Sequence, residues 1–315
     1  MRTFISEHYR ASLYHADLWH VELDVGDFSP HEYQAKRIMA HGEWFTDEEA
    51  ATVEAMIFCP GFYSGRTDKA PDARLRDLRA FTRLKFLSIP AHLLAHADLV
   101  GLSASLEYLR VAPPQTLPLP MAGKPPSWPM ATALLPKLRV LDICRPPTAF
   151  VGFSVERYPA LEWAFVELEG ESSAQCLSIF DTVQTLQGLG IGAVRSKKVS
   201  LRPVRTDIHS LRLQEIQAQQ FEMERLTAFQ ELRYLEIADC RAPVDCAVLA
   251  ELPHLEELSL EACDEIRGIT SLIRMKHLKK LRLAGRERSY KEDLPRGFED
   301  RLRRGISEVV IESER

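Results

Sequence analysis

Residues 252–283 read LPHLEELSLEACDEIRGITSLIRMKHLKKLRL, and their apolar positions carry a 3-then-2 spacing twice: Leu255, Leu258, Leu260, then Leu278, Leu281, Leu283. Each position returns 23 residues later. Side chains alternate along a strand, so the last two leucines of a triplet point the same way and the first lies at the turn leading in. Behind the triplet, Ile266, Ile269, Leu272 and Met275 recur every third residue. That spacing predicts a tight 3-10-like return with one face inward. A unit this small cannot cover its own apolar edge, whereas stacked copies can.

The frame extends upstream through Leu232/Leu235/Ile237, Ile208/Leu211/Leu213, Leu186/Leu189/Ile191, Leu161/Ala164/Val166 and Leu138/Leu141/Ile143. Beyond these come Leu106/Leu109/Val111 and Leu84/Leu87/Ile89, then Val53/Met56/Phe58 and Leu18/Val21/Leu23 at larger intervals. Ile306/Val309/Ile311 fits the same spacing at the other end. Residues 84–283 resemble a leucine-rich repeat protein, whose pattern LxxLxLxxN appears here with Cys240 and Cys263 in the asparagine position and Arg286 in the next coil. The resemblance implies an open α/β leucine-rich repeat solenoid, a horseshoe with a concave parallel β-sheet and short helices or 3-10 turns on the convex side. The asparagine ladder of that family satisfies backbone groups where each strand ends. Its absence here predicts an irregular turn, or one whose space a buried thiol fills.

The expected organisation is an N-terminal cap over 1–50, a repeat array over 51–285 and a polar C-terminal cap over 286–315, folding as one cooperative domain. Within the N-terminal region the pattern predicts a strand over Leu18–Val25 and a helical piece around Asp47–Ala55. Residues 113–130, PPQTLPLPMAGKPPSWPM, hold seven prolines and suit neither a packed helix nor a central strand. They read as an insertion between two repeats, with Trp128 as tether or contact.

Positions flanking the strand leucines project from the concave face, while the inward positions are nearly all aliphatic and pin the register. The outward positions include Phe86, Tyr108, Arg110, Asp142, Trp163, Phe165, Arg212, Tyr234, Glu236 and Arg282. Aromatic and arginine side chains dominate the energetics of protein interfaces, so these ten are the candidate partner-binding residues. The competing reading packs the aromatics under the proline-rich segment or against one another across strands.

Composition narrows the class. Apolar content of 45% and charged content of 27% suit a soluble globular chain. The net charge of −5 gives no general affinity for nucleic acid or anionic membrane. Residues 1–60 carry eleven acidic and four basic side chains, and residues 265–315 carry fourteen basic and nine acidic, which polarises the array. The N-terminus has no apolar signal-peptide core, and the expectation is a cytoplasmic protein, monomeric when free. The six cysteines form no CxxC pair and the chain has no asparagine, so reduced, buried thiols are expected rather than disulfides, zinc or N-glycans.

The catalytic signatures HExxH and GxSxG and the phosphate-binding P-loop are absent from the sequence. His92 and His96 have HxxxH spacing without an evident third ligand, so surface histidines are expected rather than a metal site. Gly188, Gly190 and Ala193 fit GxGxxA but coincide with a repeat strand, which argues against a dinucleotide loop. The basic set Arg195, Lys197, Lys198, Arg202 and Arg205 has no interleaved aromatic and reads as a solvated loop. No cofactor and no metal is implied. The pattern points to a non-catalytic scaffold that binds another protein through its concave face. Its narrowest form is a cytosolic inhibitor, such as a bacterial immunity protein that neutralises a toxin or enzyme. An adaptor or substrate-receptor subunit of a larger complex is the alternative, and an enzyme with an unrecognised site comes third.

Overall fold

Leucine triplets of the repeating frame form short parallel strands whose alternate side chains share one dry face. The structure is a computed structural model that describes residues 46–52, 55–57, 78–90, 105–112, 134–143, 155–167, 180–195, 198–199, 201–202, 204–286 and 296–314. It divides into two compact units, Met1–Leu138 and Arg139–Arg315.

In the first unit, helix α1 (Asp47–Ala50) precedes strands β1 (Ala55–Ile57), β2 (Phe86–Pro90) and β3 (Tyr108–Ala112). The strands pair in parallel, with Met56 opposite Leu87 and Leu87 opposite Leu109. The helix expected to run to Ala55 therefore stops at Ala50. Met56 occupies the place of a strand leucine, and Ala55 begins the strand that carries it. The expected strand over Leu18–Val25, residues His92 and His96 and the proline-rich insertion lie outside the described residues.

In the second unit, the chain runs through β4 (Val140–Ile143), β5 (Trp163–Glu167), β6 (Gly188–Val194), β7 (Lys198–Val199), β8 (Ser210–Ile216), β9 (Gln220–Phe221), β10 (Tyr234–Cys240) and β11 (Val244–Asp245). Helix α2 (Cys246–Leu249), β12 (Glu257–Glu261), β13 (Ile266–Arg267), β14 (Lys280–Arg286), α3 (Phe298–Gly305) and β15 (Glu308–Glu314) follow. Strands β4, β5, β6, β8, β10, β12, β14 and β15 pair successively in one parallel ladder. Leu235, Leu258 and Leu281 lie side by side in it. From β4 to β14 the two inward residues of each strand are at most 2% exposed.

The return side is made of small pieces. β7 pairs with β9, β11 pairs with β13, and 3-10 helices span Met223–Ala228 and Ile269–Arg274. Ile266, Ile269, Leu272 and Met275 are all buried, as a 3-10 face of that spacing requires. α2 is held at its start by Asp245, whose side chain accepts from the Ala247 N–H at 2.8 Å.

Both ends of the strands repeat from coil to coil. Where a strand begins, two successive N–H groups donate to one carbonyl of the preceding coil: Arg233 and Tyr234 to His209, then Glu256 and Glu257 to Arg233, then Lys279 and Lys280 to Glu256. Where a strand ends, Ala193, Glu215, Asp239 and Ala262 take left-handed φ values of 51°, 52°, 49° and 49°. The N–H groups of Gln217, Arg241 and Asp264 then donate to the carbonyls of Val194, Ile216 and Cys240 in the preceding coil, at 2.9–3.0 Å. The turn is thus regular, and of the two expected forms it is the one whose space a buried thiol fills, at Cys240 and Cys263. Backbone groups of neighbouring coils satisfy each other, and Val194, Ile216, Cys240 and Cys263 fill the space beneath.

Residues 286–315 were expected to form a polar cap. They contribute α3, with Phe298 and Leu302 buried, and β15, which pairs in parallel with β14 along its whole length.

Candidate protein-interaction face

The strand positions that alternate with the buried leucines form a grid in which the parallel register fixes every neighbour. In the second unit the first row reads Val140, Trp163, Gly188, Ser210, Tyr234, Glu257, Lys280, Glu308. The second row reads Asp142, Phe165, Gly190, Arg212, Glu236, Ser259, Arg282, Val310. The third adds Glu167, Gly192, Gln214, Ala238, Glu261, Ala284 and Glu312.

The β4–β8 part of this face is closed. Trp163 and Phe165 are 3% and 4% exposed, and Asp142 and Arg212 are buried with them. The cause lies in the next strand, where every outward residue is glycine. A Cβ on Gly188 would sit 2.2 Å from Trp163 Cδ1, and one on Gly190 would sit 2.2 Å from Phe165 Cδ2. The rings therefore lie along the sheet in the space that side chains of β6 would fill. They stack on each other at 6.2 Å, and the Arg212 guanidinium stands 5.9 Å from the Phe165 ring. Arg212 in turn meets Glu236 at 2.9 Å. In the first unit Phe86 and Tyr108 are register partners with rings 4.6 Å apart, and both are buried, as is Arg110.

Of the ten candidate contact residues, Phe86, Tyr108, Arg110, Asp142, Trp163, Phe165 and Arg212 are thus buried among their neighbours. Their expected exposure on an open sheet is corrected in favour of the competing reading: flanking glycines seat the Trp163 and Phe165 rings in the second unit, and Phe86 and Tyr108 pack across strands in the first. Tyr234, Glu236 and Arg282 remain partly accessible. Burial first, and then the carboxylates of Glu257 and Glu256, push the Tyr234 phenol above its ordinary range and keep it a neutral hydrogen-bond donor.

From β10 to β15 the face is open and charged. Lys280 lies between Glu257 at 3.4 Å and Glu308 at 4.0 Å. Arg282 lies between Glu261 at 3.5 Å and Glu312 at 3.2 Å. Lys280 and Arg282 of β14 are each bracketed by carboxylates of β12 and β15, while Ala238, Ser259, Ala284 and Val310 keep the relief between them low. At the strand-start edge Glu256 takes the reverse place, between Lys279 at 2.6 Å and Arg233 at 3.7 Å. Glu261, Glu308 and Glu312 were missed as site residues. The frame position of Val309 and Ile311 carries the signal, because their flanking residues must then face outward.

Chemistry elsewhere is quiet. Burial pushes the thiols of Cys240 up to about 11 and of Cys246 and Cys263 up to about 12, so none is a thiolate nucleophile at neutral pH. Arg205, read as part of a solvated loop, is half-buried and holds two partners, the Asp207 carboxylate and the Val183 carbonyl at 2.6 Å. It borders an open depression of about 400 Å³ lined also by Glu162, Thr185 and His209. Among the described residues no helix is long and apolar enough to cross a membrane, and no group of three potential metal ligands converges.

The parallel register, the 3-10 returns and the buried leucine triplets decide the fold. It is a leucine-rich repeat solenoid. No protein-family model matches the sequence, and no curated protein matches it. Among solved structures the solenoid is similar to an internalin (inlF) from Listeria monocytogenes, at 15% identity and a TM-score of 0.44 over 74% of this chain and 64% of that one. It is similar also to TLR13 in its complex with ssRNA13, at 14% identity and a TM-score of 0.43 over 75% of this chain and 37% of that one. A third is from the mouse RP105/MD-1 complex, at 12% identity and a TM-score of 0.32 over 67% of this chain and 40% of that one. This chain therefore spans less than two thirds of the length of each.

Proposed function

We propose that this repeat array is a non-catalytic protein-binding scaffold whose contact surface is the open strand face of β10, β12, β14 and β15. The observation that carries the reading is the contrast within one sheet. Aromatic residues close the face over β4–β8, whereas Tyr234, Glu236, Glu257, Lys280 and Arg282 stay accessible on a rigid, low-relief floor. Rigid presentation lowers the ordering cost of association. A tyrosine ringed by charged groups is also a common centre of binding energy. Of the ten residues first assigned to the contact, Tyr234, Glu236 and Arg282 carry the proposal, and of the buried seven Arg212 borders the face through Glu236.

The narrowest form of the proposal is a cytosolic inhibitor, such as a bacterial immunity protein that neutralises a toxin, because a preformed face can cover an enzyme's entrance without moving parts. The test is co-purification from the source cell with wild-type protein and with Tyr234→Ala. A protein retained by the wild type and lost from the variant, at equal thermal stability, supports the scaffold. If that protein is a toxin or enzyme whose activity falls on binding, the inhibitor form holds. A multi-subunit assembly indicates an adaptor instead. Equal retention by both proteins refutes this face as the contact.

A further inference from the structure

The charges of the open face are not balanced, and the imbalance is directional. Among the described side chains of the open face, the five carboxylates of Glu236, Glu257, Glu261, Glu308 and Glu312 stand beside three cations, Lys280 and Arg282 on β14 and Arg212 on the adjoining β8. Lys280 and Arg282 are each shared between two carboxylates. Glu308 and Glu312, whose side chains are 60% and 57% exposed, stand at the outer end of those shared pairs. The strand-end rim carries exposed Asp239 and Asp264 beside exposed Arg241. At the strand-start edge the sign reverses, since Arg233 and Lys279 together outnumber Glu256.

We infer that the scaffold's partner presents a basic surface, seated with its lysine and arginine side chains over the carboxylate pairs of β12 and β15, Glu257 with Glu308 and Glu261 with Glu312. This rests on the scaffold reading and adds the partner's chemistry and orientation. Cations in those positions give each carboxylate pair a second counter-ion, and Tyr234 offers a ring to an arginine at the border of the patch. The small floor residues Ala238, Ser259, Ala284 and Val310 let long basic side chains approach from above. A second copy of this face would set glutamate against glutamate. A phosphate backbone or an anionic lipid surface would meet the same repulsion. Charge of this kind acts mainly on association rate and orientation and is screened over about 10 Å at ordinary salt.

The test uses the full chain and two fluorescein-labelled synthetic peptides of equal length, one alternating arginine with serine and the other glutamate with serine. Fluorescence anisotropy should show the arginine peptide binding the more tightly. Its affinity should fall when salt is raised from about 20 mM to about 300 mM. The double variant Glu308→Lys/Glu312→Lys should weaken it about tenfold. Glu308→Gln/Glu312→Gln, which keeps the side-chain shape, should give a smaller loss and stands in if the lysine variant melts early. Equal or tighter binding of the glutamate peptide overturns the inference, as does arginine-peptide affinity unchanged in a variant that melts with the wild type. A cellular partner lost from Tyr234→Ala but kept by Glu308→Lys/Glu312→Lys also overturns it, while leaving the scaffold reading in place. An arginine peptide that responds to the variants, with no cellular protein retained by the wild type, supports the charge inference and counts against the scaffold.

Discussion

Gly190→Ala adds one methyl group to the strand beside Phe165, and the geometry sets its consequence. The new Cβ would lie 2.2 Å from Phe165 Cδ2, whereas ordinary contact begins at 3.4 Å. The ring would therefore have to retreat by about 1.2 Å. Its neighbours are Trp163, stacked at 6.2 Å, and the Arg212 guanidinium at 5.9 Å, and the site is buried, so the retreat disturbs packed groups. Overpacking of this kind costs about 1–3 kcal/mol. Alanine is the better strand residue by about 0.5–1 kcal/mol, which offsets part of it. The expected net loss is about 1–2 kcal/mol, read as a lower urea midpoint at unchanged slope. A double-mutant cycle isolates the cause. In a Phe165→Ala background the ring is gone, and Gly190→Ala should become neutral or stabilising by about 0.5–1 kcal/mol. If Gly190→Ala costs the same with and without the Phe165 ring, the account of this glycine strand as the seat of the aromatic side chains is wrong.

Ala262→Gly should raise stability by about 1 kcal/mol, because alanine sits at φ 49° and glycine does not pay for a left-handed backbone. Gly285→Ala should cost about 1–3 kcal/mol, since its Cβ would lie 3.1 Å from the Ala262 nitrogen at φ 150°; urea melts check both. The Arg205 guanidinium hydrogen-bonded to Asp207 holds that carboxyl below the usual carboxylate range. Its stabilisation is present above the unfolded-state value of about 3.9 and is lost as pH falls through the lower folded value. Asp207→Asn should therefore cost about 0.2–1 kcal/mol at neutral pH, as expected for a pair whose carboxylate is exposed, and progressively less as pH falls through the lowered folded value. Cys240, Cys246 and Cys263 should resist alkylation in the native protein at pH 8 and react once it is unfolded, followed residue by residue by mass spectrometry.

Much of the fold was legible because the leucine frame encodes it locally. Spacing within LxxLxL sets strand direction, and a 23-residue return sets which strands become neighbours, so Leu235, Leu258 and Leu281 were predictable as register partners. The Ile266–Met275 spacing likewise announced a 3-10 return. The strand-end turns were less legible. A left-handed backbone at Ala193, Glu215, Asp239 and Ala262 has no residue signature, and the bonds that satisfy it run between backbone groups of different coils. The site was half legible. Alternation correctly put Trp163 and Phe165 on the face opposite the leucines, but facing that way does not mean meeting solvent. The decisive clue lay 25 residues downstream, in Gly188 and Gly190, whose missing side chains make room for the two rings. The glycines of one strand and the aromatics of the strand before it are one packing unit, which neither set signals by itself.

The strand-end turn has a consequence for how this molecule ages. Asparagine side chains deamidate, and a ladder built from them accumulates charge at each turn as it does so. Here the same turns are closed by main-chain amides over aliphatic and thiol side chains, in a chain that contains no asparagine at all. Long incubation or heat therefore has no such hydrolysis to exploit at the coil junctions. Covalent wear should fall instead on other groups, such as the exposed side chains of Gln184, Gln187 and Gln230.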